Sequence, residues 1–396
     1  MKKLSSLVFM VAGLVLAVSG VSESVLAVNA HANEHAVCPA NDKGSARCHA
    51  HVVVDAHGNP QTTTGPVGYG PAQFHSGYAI GTSAPAGTTI AIVDAYNDSY
   101  AKTDLDHYDT AFGLPFFPNC SSTVTTSCFK KVNQRGTTAY PSSNSGWALE
   151  ISLDVQVAHA ICQNCKLILV EADSSSYTNL MTAVDQAVAQ GAKIVSNSYG
   201  SSEFSGETGY DSHFNHPGIV FTFSSGDSGY GAQYPAASQY VTSVGGTTLT
   251  LDTANNWVGE SAWNGGGSGC SAYETKPSFQ TDACANRMVA DVSADADPNS
   301  GAAVYDSVRY SGHHGWFQVG GTSLAAPLVA AIYALNGGIS AGVAGNSVPY
   351  SQGNSSNLHD VVTGSNGTCA VSFMCAAGLG YDGPTGLGSP LGVSAF

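Results

Sequence analysis

Short apolar runs alternate with longer helical patterns along most of this chain. Thr89-Ile90-Ala91-Ile92-Val93-Asp94 reads as a buried strand ending in a carboxylate. Residues 147–161 are predicted helical, residues 166–171 form a strand, and residues 177–190 form a second helix. In that second helix Leu180, Met181, Val184, Ala187 and Val188 recur at helical spacing. Further strands are predicted at residues 192–197, 219–223 and 240–244. Strands alternating with helices predict an α/β fold, a mostly parallel sheet with helices on both faces. In such sheets chemistry gathers at the carboxyl ends of the strands. Asp94, Asn197, Asp227 and Ser323 all lie at or just beyond such ends.

The pattern sharpens near the C-terminus. Trp316-Phe317-Gln318-Val319 reads as a short strand, and residues 328–335 as a buried, Ala-rich helix. Between them, Gly320-Gly321 lets the backbone turn sharply. Ser323 then falls in the first helical turn, where free N–H groups and the positive dipole end favour a developing oxyanion. Pro327 comes early enough in the helix to be tolerated. Ser323 is therefore a candidate nucleophile, although small residues at such a junction also serve ordinary packing.

Two stretches carry no clear period. Residues 31–88 are rich in His, Gly, Pro and Thr and are expected to wrap a domain as an extended segment. Residues 259–284 read as a long surface excursion. Within the first, His31-Ala32-Asn33-Glu34-His35 spells a zinc-peptidase motif. That motif needs a packed helix to bring both histidines to one face, and none is predicted here.

Composition narrows the class. Met1-Lys2-Lys3 followed by an apolar run is a signal peptide, with Ala27 and Ala30 both fitting as cleavage positions. The expected product is a secreted or periplasmic protein that is soluble and not bound to a membrane. The ten cysteines fall as five close neighbours, Cys38/Cys48, Cys120/Cys128, Cys162/Cys165, Cys270/Cys284 and Cys369/Cys375. In an exported chain such neighbours suggest local disulfides, with a metal or redox role for Cys162 and Cys165 as the alternative. The net charge of −15 reflects few cations, so nucleic acid is not an expected partner.

Chemistry concentrates in two places besides Ser323. Glu150 and Asp154 lie four apart in a predicted helix, hence on one face, among apolar neighbours. Two carboxylates withdrawn from water cannot both ionise easily and tend to share a proton. The second place is Ser224-Ser225-Gly226-Asp227-Ser228-Gly229, directly after a strand. Gly226-Asp227-Ser228-Gly229 also spells the nucleophile motif of chymotrypsin-like proteases, and Val157-Ala158-His159-Ala160 resembles their histidine motif. Those enzymes are all-β barrels, whereas His159 falls inside a helix of an alternating α/β chain.

From about Gly70 to the C-terminus the chain resembles the sedolisins, or serine-carboxyl peptidases. The resemblance rests on Glu150-x-x-x-Asp154, Ser225-Gly226-Asp227-Ser228-Gly229, Asp291-Val292-Ser293-Ala294-Asp295-Ala296-Asp297-Pro298 and Gly321-Thr322-Ser323-x-x-x-Pro327. It implies a subtilisin-like fold, Ser323 as nucleophile, Glu150 as general base, and Asp154 hydrogen-bonded to Glu150. It also implies Asp227 as a protonated donor in the oxyanion hole, which suits work in acid. Near the end, Asp360-Val361-Val362-Thr363-Gly364 and Gly378-Leu379-Gly380-Tyr381-Asp382 look like the family's calcium site. Asp360 and Asp382 would give carboxylates, and Val361, Gly378 and Gly380 carbonyls, all hard oxygen donors that suit calcium.

The resemblance divides the chain into a signal peptide at 1–30, an extension at 31–64 and a peptidase domain at 65–396. It implies a monomer acting on proteins or peptides, as an endopeptidase or a tripeptidyl-peptidase. Two departures stand out. The residues between the signal peptide and the first parallel strand are too few for the family's large pro-domain, and Gly320 stands where many relatives have Ser. The alternatives are a subtilisin with a histidine base, which lacks its His-Gly-Thr-His helix here, and a weakly active or inactive protein on the same scaffold. The latter would be expected to have lost one of Glu150, Asp154, Asp227 or Ser323, and all are present.

Overall fold

A computed structural model describes residues 33–39 and 44–396. The signal peptide expected at residues 1–30 lies outside the described residues, as does His31 of the zinc-like motif. Among the described residues no helix is long and apolar enough to cross a membrane.

The chain begins with three short strands, β1 (Asn33–Ala36), β2 (Arg47–Cys48) and β3 (His51–Val54), and a short helix, α1 (Pro71–Gly77). The alternating part follows as β4 (Thr89–Ala95), α2 (Ala101–Phe112), β5 (Phe129–Asn133), α3 (Ser145–Ile161), β6 (Lys166–Ala172), α4 (Tyr177–Ala189) and β7 (Ile194–Asn197). Next come β8 (Tyr199–Ser202), β9 (Val220–Ser224), β10 (Gln233–Tyr234), β11 (Thr242–Leu251) and β12 (Trp257–Ala262). The last third holds β13 (Gly269–Cys270), β14 (Met288–Val289), β15 (Val292–Asp295), β16 (Ala302–Tyr310), β17 (His313–Gly320) and α5 (Thr322–Leu335).

The central sheet runs β12-β11-β9-β7-β4-β6-β5, with β15 also paired to β11. Every pairing in it is parallel except that of β11 with β12. β4 is buried along its whole length, because it lies mid-sheet with helices packed over it. Two helices sit deep in the molecule. α3 is buried from Gly146 to Ile161, and α5 from Thr322 to Ala334, which is why both read as apolar all round. They pack on each other, and α5 also spans β7, β9, β11 and β15. All five neighbouring cysteine pairs are disulfides. Cys162–Cys165 joins the C-terminal end of α3 to the start of β6, and both residues are buried.

Two expectations need correction. The strand at 316–319 belongs to β17, which sits in a separate antiparallel sheet, β1-β3-β17-β16, and not in the parallel one. An apolar run reports burial on both sides, which a covered antiparallel strand also has. Residues 259–284 are not a surface excursion: Trp263, Ser268, Glu274 and Cys284 are buried, and Gly267 lies against the backbone of Ser225. Glycines there permit close backbone approach, and in sequence this looks the same as flexibility. The unpatterned N-terminal stretch places β3 against β17 and β2 against β8, beside the residues described next. Glu34 and His35 of the zinc-like motif lie on strand β1 and not on a helix.

Candidate active site

Helix α3 starts with an Asn144 cap, whose side chain accepts from the Gly146 and Trp147 N–H groups. One turn in, it carries Glu150 and Asp154, both with no solvent exposure. Asp94, the penultimate residue of β4, is equally buried. None of the six carboxyl oxygens of Asp94, Glu150 and Asp154 has a hydrogen-bond partner. Loss of water raises the pKa of Glu150 well above the ordinary range, and the charges of Asp154 and Asp94 push it further. Burial, then Asp94, does the same to Asp154. Asp94 itself is raised to about 8 by burial and by Glu171. The spacing of Glu150 and Asp154 thus placed them on one face as expected. A third acid joins them from the sheet.

Ser323 meets this cluster from α5. Its Oγ donates to the Ser198 carbonyl at 3.2 Å, yet it lies near enough to Glu150 to favour that group's charged form. Pro327 cannot donate to the Ser323 carbonyl four residues back, and Ser198 Oγ donates to that carbonyl at 3.4 Å. The expected hydrogen bond from Asp154 to Glu150 would be one proton shared by two carboxyls, and Asp154 stands near enough to Glu150 to raise its pKa.

Asp227 approaches from the other side. Its Oδ1 accepts from the Thr322 N–H at 2.8 Å and the Thr322 hydroxyl at 2.6 Å. Its Oδ2 is buried without a hydrogen-bond partner. Gly321, at φ +91°, makes this approach possible: a Cβ there would lie 2.6 Å from Asp227 Oδ2. Burial raises Asp227 to about 6, against the opposing pull of His51 and of the Thr322 hydrogen bonds. Asp227 is therefore a carboxyl that is protonated in mild acid and ionised at neutral pH.

Several residues of this site went unnoticed in the sequence. His49 is buried, with Nδ1 2.7 Å from Ser224 Oγ and Nε2 3.0 Å from Gln233 Oε1. Burial, then Arg47, lowers its pKa to about 3, so the ring is neutral. His51 Nε2 lies 3.7 Å from Asp227 Oδ2, and its Nδ1 is 3.2 Å from Glu34. Burial alone would lower His51, but the Glu34 hydrogen bond and the charges of Asp227 and Glu34 outweigh it and raise its pKa. A histidine beside a cysteine in an unpatterned stretch carries no local signal of either role. His159, on the same helix as Glu150, pairs elsewhere, 3.1 Å from Asp109 of α2.

The loops expected to hold calcium do come together. Asp382 is buried, its Oδ2 accepting from the Gly378 N–H at 2.8 Å and its Oδ1 from the Thr385 N–H at 2.9 Å. Asp360 Oδ2 accepts from the Gly380 N–H at 3.0 Å. The two carboxyls are close enough that Asp360, after burial, raises Asp382 to about 6. Val361 is buried, and Gly380 adopts φ +77°. Among the described residues no group of three or more His, Cys, Asp or Glu side chains converges as a metal cluster. A cation here would thus depend on backbone carbonyls beside the two carboxylates, an oxygen-only set that fits a hard ion.

Known proteins resemble this chain throughout that region. A sequence-family model described as the subtilase family matches residues 136–337. Sedolisin from Pseudomonas sp. (strain 101) is 29% identical, with 81% of this chain and 60% of that protein covered. Xanthomonalisin from Xanthomonas sp. (strain T-22) is 28% identical, covering 81% of this chain and 45% of that protein. The chain therefore spans about half of the length of these curated relatives. A solved structure of Pseudomonas sedolisin, a serine-carboxyl proteinase complexed with two molecules of pseudo-iodotyrostatin, is 29% identical with a TM-score of 0.66. The match covers 82% of this chain and 96% of that one.

Proposed function

This chain belongs to the subtilase family, and we propose that it is a sedolisin-like serine-carboxyl peptidase, exported and active in acid. The observation that carries the reading is the pair of acid environments around Ser323. On one side stand three buried carboxyls with no donor; on the other stands Asp227, whose free Oδ2 lies beside the Gly321 turn. Glu150 takes the Ser323 proton as Oγ attacks the carbonyl carbon of a peptide. In the form of the cluster that has given up one proton, Glu150 is a competent base, because burial and neighbouring acids raise its pKa. Asp154 and Asp94 keep the proton within the cluster. The developing oxyanion sits between the Ser323 N–H at the start of α5 and a protonated Asp227. Glu150 then returns the proton to the leaving amine, and water hydrolyses the ester on Ser323.

Asp360 and Asp382, with the carbonyls of Val361, Gly378 and Gly380, would hold a calcium ion that ties the C-terminal loops together without entering the chemistry. The direct test is covalent: an active-site-directed acylating reagent should label Ser323 at about pH 4. Labelling elsewhere, or none in a protein that fragments a denatured substrate, would refute the assignment. A stable fold that neither reacts nor cuts would favour the inactive-scaffold alternative.

A further inference from the structure

The buried acids behind Ser323 do not stop at Asp94. In the parallel pairing of β4 with β6, Asp94 stands opposite Glu171, so the two side chains share one face of the sheet on neighbouring strands. Glu171 has no solvent exposure, like Asp94. Its Oε1 lies 2.9 Å from Lys131 Nζ of β5 and accepts from the Asp98 N–H at 2.9 Å, while Oε2 has no hydrogen-bond partner. Asp98 repeats the arrangement: its Oδ1 accepts from the Tyr100 N–H at 2.8 Å, and its Oδ2 is buried without a partner. Each acid stands near enough to the next to raise its pKa, Asp94 that of Glu150 and Asp154, Glu171 that of Asp94, and Asp98 that of Glu171. The line ends at water. Asp98 and Lys131 line a cavity of about 580 Å³ beside β5, and the exposed residues Ser99, Thr138 and Tyr140 line it too.

Glu150 serves as a base only after the cluster gives up a proton, yet Glu150, Asp154 and Asp94 have no exposure. A peptide lying over Ser323 would close the front of the site as well. A carboxylic acid accepts a proton on one oxygen and releases one from the other, and Glu171 and Asp98 each keep one oxygen unengaged. Burial brings Glu171 and Asp98 each to about 7 and Asp94 to about 8, so a proton passes among them without a steep climb. We propose that Glu171 and Asp98 form a proton port, which joins the acid cluster to the cavity while a peptide occupies the site. This proposal rests on the peptidase reading above. When the cluster ionises, Asp98 gives its proton to a cavity water, which leaves as hydronium. Glu171 then reprotonates Asp98, Asp94 reprotonates Glu171, and the Glu150–Asp154 pair reprotonates Asp94. The pair ends with one negative charge, and every other acid is restored. Uptake of a proton runs the same steps backwards. Lys131 pins the middle of the line, since its Nζ also donates to Asn97 Oδ1 at 2.6 Å and sits 4.3 Å over the Tyr140 ring. Tyr199 lies beside Asp94, Tyr140 beside Glu171, and Asp104 of α2 and Asp306 of β16 beside Asp98.

The test compares two pH profiles of the full chain acting on a quenched fluorescent peptide. The profile of kcat reports protons exchanged by the complex, whereas kcat/KM reports the free enzyme, which has time to equilibrate. In the wild type both acid limbs should fall together, by about tenfold per pH unit. In Glu171→Gln and in Asp98→Asn the kcat/KM limb should stay in place. Over the same unit kcat should change by less than about twofold, because the complex keeps the protonation state in which it formed. Both replacements are neutral and of matching shape, so they disturb little else in acid. Asp109→Asn removes an equally buried acid that lies off the line and pairs with His159, and it should keep the limbs together. Infrared spectra of enzyme stopped with a peptide aldehyde give a second reading. Exchange of the buried carboxyl bands into D2O should slow by at least about tenfold in the first two variants. Limbs that fall together and exchange at wild-type speed in Glu171→Gln, or in Asp98→Asn should the former fail to fold, overturn the port and leave the peptidase reading standing. A wild type that neither turns over peptide nor is captured by the aldehyde overturns the two together.

Discussion

Two groups of buried acids in this molecule look alike by burial and opposite by wiring. Asp291, before β15, has no solvent exposure and accepts from five donors. Arg287 Nη1 reaches Oδ1 at 2.7 Å and Nη2 reaches Oδ2 at 2.5 Å, with Tyr350 Oη, the Ser243 N–H and Gln280 Nε2 completing the shell. Asp94, Glu150 and Asp154 are equally buried and accept from none. A bidentate arginine in a closed shell fixes a charge for structure. Acids withdrawn from water without donors hold protons instead, and so can move them. Burial and missing donors together do not mark a site, since the carboxyls of Asp109 and Glu274 share both; what sets this group apart is Ser323 beside it.

The largest effect should come from the unwired group. Ser323→Ala and Glu150→Gln are each expected to lower kcat by at least about ten-thousandfold, because nucleophile and base act as a unit. Both variants should keep their circular dichroism. Near-normal turnover in Glu150→Gln would erase the distinction between the two groups. The wired group should behave the other way round. Arg287→Ala leaves Asp291 charged and unpaired, a loss of about 3–5 kcal/mol in stability by urea titration. Full stability in that variant would show that the arginine shell is dispensable.

The difference between these groups was not legible in the sequence, and the reason is geometrical. Glu150 and Asp154 sit four apart in a real helix, so their shared face was readable. Arg287 and Asp291 are also four apart, but they flank strand β14, where that spacing has no meaning until the chain is folded. The parallel sheet and its buried helices were readable because apolar period survives in any context. Asp94 entered only as the end of a strand, since register with β6 and β7 decides what its side chain meets. His49 and His51 were invisible because strand pairing across the site, not local pattern, puts them there.

Acidity should separate the groups next. The folded pKa values of Asp94, Glu150, Asp154 and Asp227 are raised, so the stability linked to them is complete below about pH 4, the unfolded value. It is lost as pH rises through the folded values, about 6 for Asp227 and about 8 for Asp94. The melting temperature should fall between about pH 5 and 8, and Glu150→Gln should flatten that fall. Activity should follow the same limb, since an ionised Asp227 would repel the oxyanion. A bell-shaped rate profile between about pH 3 and 5.5 is expected. Asp227→Asn keeps a neutral donor, so it should weaken the alkaline fall while costing about a hundredfold in rate. A wild-type optimum at pH 7 to 9 would rule out the carboxyl mechanism.

Asp360 and Asp382 stand between the two extremes, and they should show the smallest effect. Their oxygens accept backbone N–H bonds, so they are neither orphaned like Glu150 nor clasped by a cation like Asp291. They face each other closely enough to raise Asp382, which an added cation would reverse. If calcium completes this pair, it binds the folded state alone, and mass action adds about 2–4 kcal/mol at a hundred- to thousandfold excess over Kd. Chelation should then lower the melting temperature by several degrees at about pH 7, above the Asp382 pKa of about 6, and by less at about pH 4, where protons compete with the metal. Asp382→Asn should remove the response to calcium while leaving the rate per folded molecule unchanged, since the loops lie outside the proposed chemistry. A melting curve indifferent to verified removal of calcium would mean that the backbone N–H groups alone suffice here. The middle case of the comparison would then join the structural acids.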